Sequence, residues 1–148
     1  MHYEMFMGAA LGEARAAAGR GERPRGAVAV LGEAMVASGQ EEVLARGDPT
    51  AHAVIVTLRE AAERLGRTSL AGLTIFSSVE PCPMCVGALL ACDADGLVFA
   101  LPDPALGAAG SAVQLADGRL GRRLEVVSGI LAREASELEA AVAGAARA

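Results

Sequence analysis

Lysine and tryptophan are both missing from this 148-residue chain, and aromatic residues make up only 3% of it. Every formal positive charge is therefore an arginine. Together with the abundant alanine and glycine, the missing lysine fits a GC-rich coding bias and carries no functional weight. The shortage of aromatics leaves few platforms on which nucleic-acid bases could stack. Basic charge is also in deficit, at a net −5, whereas a protein that neutralises phosphates shows a basic patch. The arginines of "RPR" (23–25) and "GRR" (121–123) read as solvated loop residues. Nucleic acid is not an expected partner of this chain alone.

No apolar run is long enough to span a bilayer. The N-terminal stretch "MHYEMFMGAALGEARAAAG" carries Glu4 and Glu13 and has no basic start, so it reads as an amphipathic helix and not a signal peptide. No membrane partner is expected, and the cytoplasm is the expected compartment. There are only three cysteines, two of them closely spaced. That fits a reducing compartment and a metal site better than a disulfide framework.

What is present is the composition of a folded globule: 53% hydrophobic and 21% charged residues. One domain over 1–148 is expected, since no repeat, low-complexity linker or boundary interrupts the chain. A first helix covers roughly the first twenty residues. "RGAVAVL" and "EAMVASG", separated by Gly32, predict a β-hairpin. "QEEVLARG" reads as an acidic loop. A second helix is predicted from "DPTAHA", with Asp48 as cap and Pro49 in the first turn. Apolar residues Ala51, Val54, Ile55, Leu58, Ala62 and Leu65 follow at helical spacing, and Gly66 stops it. "LTIFSSV" is a buried strand, "PCPMCVGALLAC" a helix with Pro83 in its first turn, and "GLVFAL" a further strand. Residues 102–121 form a long loop with room for one short helix. "LEVVSGI" is a last short strand and "LAREASELEAAVAGAARA" a last helix. This order predicts an α/β fold, a three-layer α/β/α sandwich with a mixed sheet.

Cys82 and Cys85 form a C-x-x-C pair at a predicted helix start, where the helix dipole favours thiolate. His52 opens the preceding helix. In a strand–helix alternation such starts gather at one edge of the sheet, so His52 can face the pair. Three protein ligands leave a fourth position open, the arrangement of a catalytic zinc. Cys92 lies seven residues beyond Cys85, about 10 Å along a helix, and reads as a buried small apolar residue. A redox pair needs no histidine, and a structural zinc site needs a fourth ligand that the sequence does not offer. His2 sits at the terminus and is set aside.

The pattern "HAV…PCPMC" resembles the zinc-deaminase motif H-x-E…P-C-x-x-C. With "PRGAVAV", "GDPTAHA", "EPCPMCVGAL", "LVFAL", "GAAGS" and "SGILAREASEL" in order, the chain resembles the cytidine deaminase-like superfamily. It is most similar to the branch of bacterial tRNA-adenosine and guanine deaminases. The resemblance implies a five-stranded sheet, a homodimer, and Zn²⁺ held by His52, Cys82 and Cys85. It implies a pocket lined by Ala27, Val28 and Asp103, and hydrolytic deamination of a small amino-heterocycle. Glu80 matches the residue before Pro-Cys in the family. It is a candidate for a catalytic role, or it bonds backbone amides near the metal.

Members of the family that deaminate carry a glutamate two residues after the histidine, and it shuttles protons. Here that position is Val54. A placed acid/base group contributes about 10²–10⁴-fold, and valine has no proton to give or take. Its other role is packing, which stabilises by about 1.5–3 kcal/mol at most. Glu41, Glu42, Glu80 and Asp103 are the carboxylates that could approach the pocket, but none has the i+2 relation to His52. Turnover is therefore expected to be impaired or silent. The alternatives are a non-catalytic binding or partner subunit, like the valine-bearing subunit of the eukaryotic heterodimeric tRNA deaminase, or an engineered inactive form of an active deaminase. Two departures argue against RNA. The asparagine of bacterial tRNA deaminases, seven residues before the Asp of "DPT", is Glu41 here, and their basic, aromatic C-terminal segment is replaced by "AAVAGAARA".

Overall fold

The structure, a computed structural model, describes residues 1–147. Helix α1 (Tyr3–Gly19) leads into a hairpin of β1 (Gly26–Leu31) and β2 (Ala34–Gln40), turned at Gly32 with φ +65°. A single helical turn, α2 (Val43–Arg46), precedes α3 (Ala53–Leu65). Then come β3 (Leu73–Val79), α4 (Pro83–Ala91), β4 (Gly96–Leu101), β5 (Glu125–Ser128) and α5 (Ala132–Arg147). The five strands form one mixed sheet in the order β2-β1-β3-β4-β5. The hairpin and the β1–β3 pair are antiparallel, while β3–β4 and β4–β5 run parallel.

Strand alternation sorts the core into two layers, since successive side chains point to opposite faces. Ala27, Ala29, Leu73, Ile75, Leu97 and Phe99 pack beneath α3 and α4. Val28, Val30, Phe76, Val98 and Ala100 face the other way, against Phe6, Met7, Ala10 and Leu11 of α1 and Ala135 of α5. The result is the expected three-layer sandwich. The hairpin enters against α1 so closely that a Cβ on Gly26 would overlap the backbone of Ala10 and Ala14.

Three local expectations are corrected. The metal helix begins at Ala53, not at Asp48 and Pro49. Asp48 instead accepts Thr50 N–H at 2.9 Å and the Thr50 hydroxyl at 2.7 Å, closing a turn before the helix. The segment read as an acidic loop contains α2, whose first amides are taken by Glu22: Leu44 N–H at 2.9 Å and Ala45 N–H at 2.7 Å. Residues 102–121 contain no α-helix and are held by isolated bridges such as Ala109 with Gln114. Among the described residues, no helix is long and apolar enough to cross a membrane.

Candidate metal centre and cleft

Strand β3 runs parallel to β4 through α4, so the start of α4 lies at the carboxyl end of β3, where open α/β sheets place their ligands. Cys82 occupies the N-cap position of α4, and His52 occupies that of α3, both with extended backbone. Two helix N-termini therefore converge on one point. Their partial positive charge favours thiolate there.

The three predicted ligands meet. His52 Nδ1 lies 3.5 Å from Cys82 Sγ and 3.6 Å from Cys85 Sγ, and the two sulfurs are 3.7 Å apart. With Zn–S near 2.3 Å and Zn–N near 2.0–2.1 Å, a tetrahedral ion has S···S and N···S edges of about 3.8 and about 3.6 Å. The triangle thus fits zinc, with Nδ1 as the histidine ligand atom. Cys92 stands at the far end of α4, half-buried and not fully in the core, with its Sγ directed at Leu89 O (3.4 Å). It cannot join the three.

The two thiols are electrostatically unequal. The hydrogen bond with Cys85 is the main influence on Cys82. Burial opposes it, while the Cys85 backbone N–H and the charge of His52 add to it. Together they bring Cys82 down to about 5. The same hydrogen bond, with burial, pushes the Cys85 thiol up. Burial also raises Cys92.

A cleft opens over this triangle, and Val54, Glu41, Glu80, Asp103, Arg23 and Arg25 contribute to its wall. Val54 is 3% exposed and packs with Ala53, Cys85 and Leu58. Asp103 is in the wall, with Oδ1 accepting the amides of Ala105 at 3.1 Å and Leu106 at 3.2 Å. The other two expected pocket residues do not line it. Val28 points to the opposite face of the sheet, beside Phe76, and Ala27 is buried in the core beneath α3. A one-residue step along a strand reverses the face, so the two could not share one role.

Glu80 is held structurally. Oε1 accepts Asp103 N–H at 3.2 Å and the Ser111 hydroxyl, and Oε2 accepts Ala109 N–H at 3.0 Å and Ser111 N–H at 3.1 Å. A carboxylate has about four lone-pair sites, and all are occupied. Gly107 leaves room for it, because a Cβ there would overlap the Glu80 carboxyl group. Glu80 thus pins the 103–111 loop over the metal edge, which corrects the catalytic role considered for it.

Sequence reasoning also misplaced Arg23 and Arg25, which border the cleft and are not merely solvated. Arg23 pairs with Glu41, which is 2% exposed, through Nε at 2.8 Å and Nη2 at 2.6 Å. Glu41 Oε1 accepts Ala53 N–H at 3.2 Å. The Glu41 backbone is itself fixed, its N–H donating to Arg25 O at 3.0 Å. An acid eighteen residues from Arg23 gives no hint of this in sequence. Only the hairpin brings the two together.

The model of the cytidine and deoxycytidylate deaminase zinc-binding region matches residues 1–101. The tRNA-specific adenosine deaminase of Bacillus subtilis is 36% identical over 132 residues, 88% of this chain and 82% of that protein. The guanine deaminase of the same organism is 46% identical over 66 residues, 45% of this chain and 42% of that one. The chain spans only 9% of a longer relative, a chloroplastic tRNA(adenine(34)) deaminase of Arabidopsis thaliana, 41% identical over 122 residues that make up 82% of this chain. A solved structure from work on A-to-I editing by tRNA:A34 deaminases superposes with a TM-score of 0.87 at 35% identity, covering 90% of this chain and 98% of that one.

Proposed function

This chain belongs to the cytidine and deoxycytidylate deaminase family, and we propose that it binds a small amino-heterocycle beside zinc without carrying out ordinary deamination alone. The observation that supports this is Val54, which lies in the cleft wall and brings no proton, donor or acceptor to it. His52, Cys82 and Cys85 would hold zinc, which when bound would supply Lewis acidity. What the reaction further needs is a group that moves protons. Glu80 has no free lone pair, and Glu41, held by Arg23 and Ala53, keeps one acceptor site but lacks the i+2 relation to His52. Asp103 spends one oxygen on its own loop. Without a placed acid/base, the rate falls by about 10²–10⁴-fold or more.

A second reading is favoured by the likeness to tRNA adenosine deaminases: the heterocycle is adenine within tRNA, and the chain, with Val54 in its cleft, assists a catalytic homologue. It would then pair through the apolar strip between α3 and α4, lined by Ile55, Leu58, Ala62, Leu70, Ala88 and Cys92. The same strip supports a homodimer in the first reading. Three unpaired cysteines suit a reducing compartment, the cytoplasm.

The test is ammonia release by zinc-loaded protein over amino-purines, amino-pyrimidines, their nucleosides and a tRNA anticodon stem-loop. The chain and its Val54→Glu variant are compared. Turnover confined to Val54→Glu supports the reading, and turnover by the unaltered chain contradicts it. A variant active only on the stem-loop selects the tRNA reading.

A further inference from the structure

We propose that Glu41 determines which heterocycle the cleft accepts, because its Oε1 takes an N–H from the ligand. The favoured ligand then presents an amino group at that point, and one presenting an ether or carbonyl oxygen or a bare ring nitrogen is rejected. This rests on the reading of the cleft as an amino-heterocycle site.

The argument is an accounting of lone pairs. Glu41 is buried in the cleft wall with His52, Cys82 and Cys85. A buried carboxylate needs compensation, and Arg23 provides it with two contacts to Oε2, at 2.8 and 2.6 Å. Oε1 has a single partner, Ala53 N–H, at 3.2 Å. Of about four lone-pair sites on a carboxylate, three are used, and the fourth belongs to the oxygen beside the metal helix. The pair with Arg23 is neutral overall, so the ligand need not be a cation. It must bring a donor. An ionised carboxylate only accepts, whereas an amide side chain could turn over and donate. Leaving such a buried acceptor facing another acceptor costs binding heavily, and sites built on a hydrogen bond reject ligands that lack it by up to about 10⁴–10⁵-fold.

The simpler role for Glu41 is to cap α3, and the test separates the two. Dissociation constants are measured by calorimetry on the zinc-loaded chain for purines carrying an amino group, a methoxy group or hydrogen at ring position 2 or 6. Methoxy is an acceptor that adds no ring N–H. At one of these positions, replacing amino by methoxy is expected to weaken binding at least about tenfold, and by more than replacing it with hydrogen. Glu41→Gln points its carbonyl at Arg23 and its amide at the cleft, so the amino-over-methoxy ratio should collapse or invert. Glu41→Asp keeps the charge but withdraws it, and should shrink the ratio. An unchanged ratio in folded, zinc-bound Glu41→Gln overturns the inference and leaves a cap. So does the absence of any amino preference in the unaltered chain, which needs no variant to fold. If no purine binds, the amino-heterocycle reading itself fails, and this inference with it.

Discussion

The Glu41 carboxylate accepts the first amide of the metal helix, Ala53 N–H, at 3.2 Å, and so ties the end of the hairpin to the residue beside His52. A backbone donor at a helix start has no partner within the helix. Here its partner comes from twelve residues upstream. Glu41→Ala leaves that amide and the Arg23 guanidinium unpaired. We expect a loss of about 1–3 kcal/mol, read as a fall in Tm of several degrees, with a smaller fall for Glu41→Gln.

Gly107→Ala should be worse than a loop substitution usually is. The added methyl group overlaps the Glu80 carboxyl, which holds Asp103, Ala109 and Ser111. Surface changes commonly stay within about 0.5 kcal/mol. This one should exceed about 2 kcal/mol, because a buried carboxylate loses partners. Urea unfolding measures it.

Zinc should bind at one ion per chain, and His52→Ala or Cys85→Ser should abolish stoichiometric retention on dialysis. Binding to the folded state alone stabilises by about 2.7 kcal/mol at a hundredfold excess over Kd, so chelation should lower Tm in the unaltered chain and leave His52→Ala unchanged.

The metal-free protein should show one reactive thiol. Cys82 is brought down to about 5, so it is thiolate above that pH, while Cys85 and Cys92 are pushed up and stay protonated. Only the thiolate is nucleophilic. Labelling by iodoacetamide at pH 6 should fall on Cys82, slow by about tenfold per unit below pH 5, and stop when zinc is added. Peptide mass mapping reads the site.

Much of this architecture was legible because local signals agreed. Strand alternation in "GAVAVL" and "LTIFSSV" predicts two-sided burial, and both core layers use it. His52 and C-x-x-C declare themselves by residue type and by position at helix starts. The start of α3 is not legible locally, because Asp48 and Pro49 imitate a cap while the actual partner, Glu41, reaches Ala53 only through tertiary structure. The same limit hid Arg23. Ala27 and Val28 are neighbours in sequence, but period-two geometry puts them on opposite faces of the sheet. Glu80 could be placed near the metal, but its four partners lie 23 to 31 residues away, beyond any local pattern.

The measurement that bears most directly on this account is X-ray absorption at the zinc edge of the purified, zinc-loaded chain. An open site built from His52, Cys82 and Cys85 predicts two sulfur scatterers at about 2.3 Å and two nitrogen or oxygen scatterers at about 2.0–2.1 Å, one of them exchangeable with added azide or cyanide. Three or four sulfurs, or a shell that no small anion enters, would mean a closed structural zinc and contradict it.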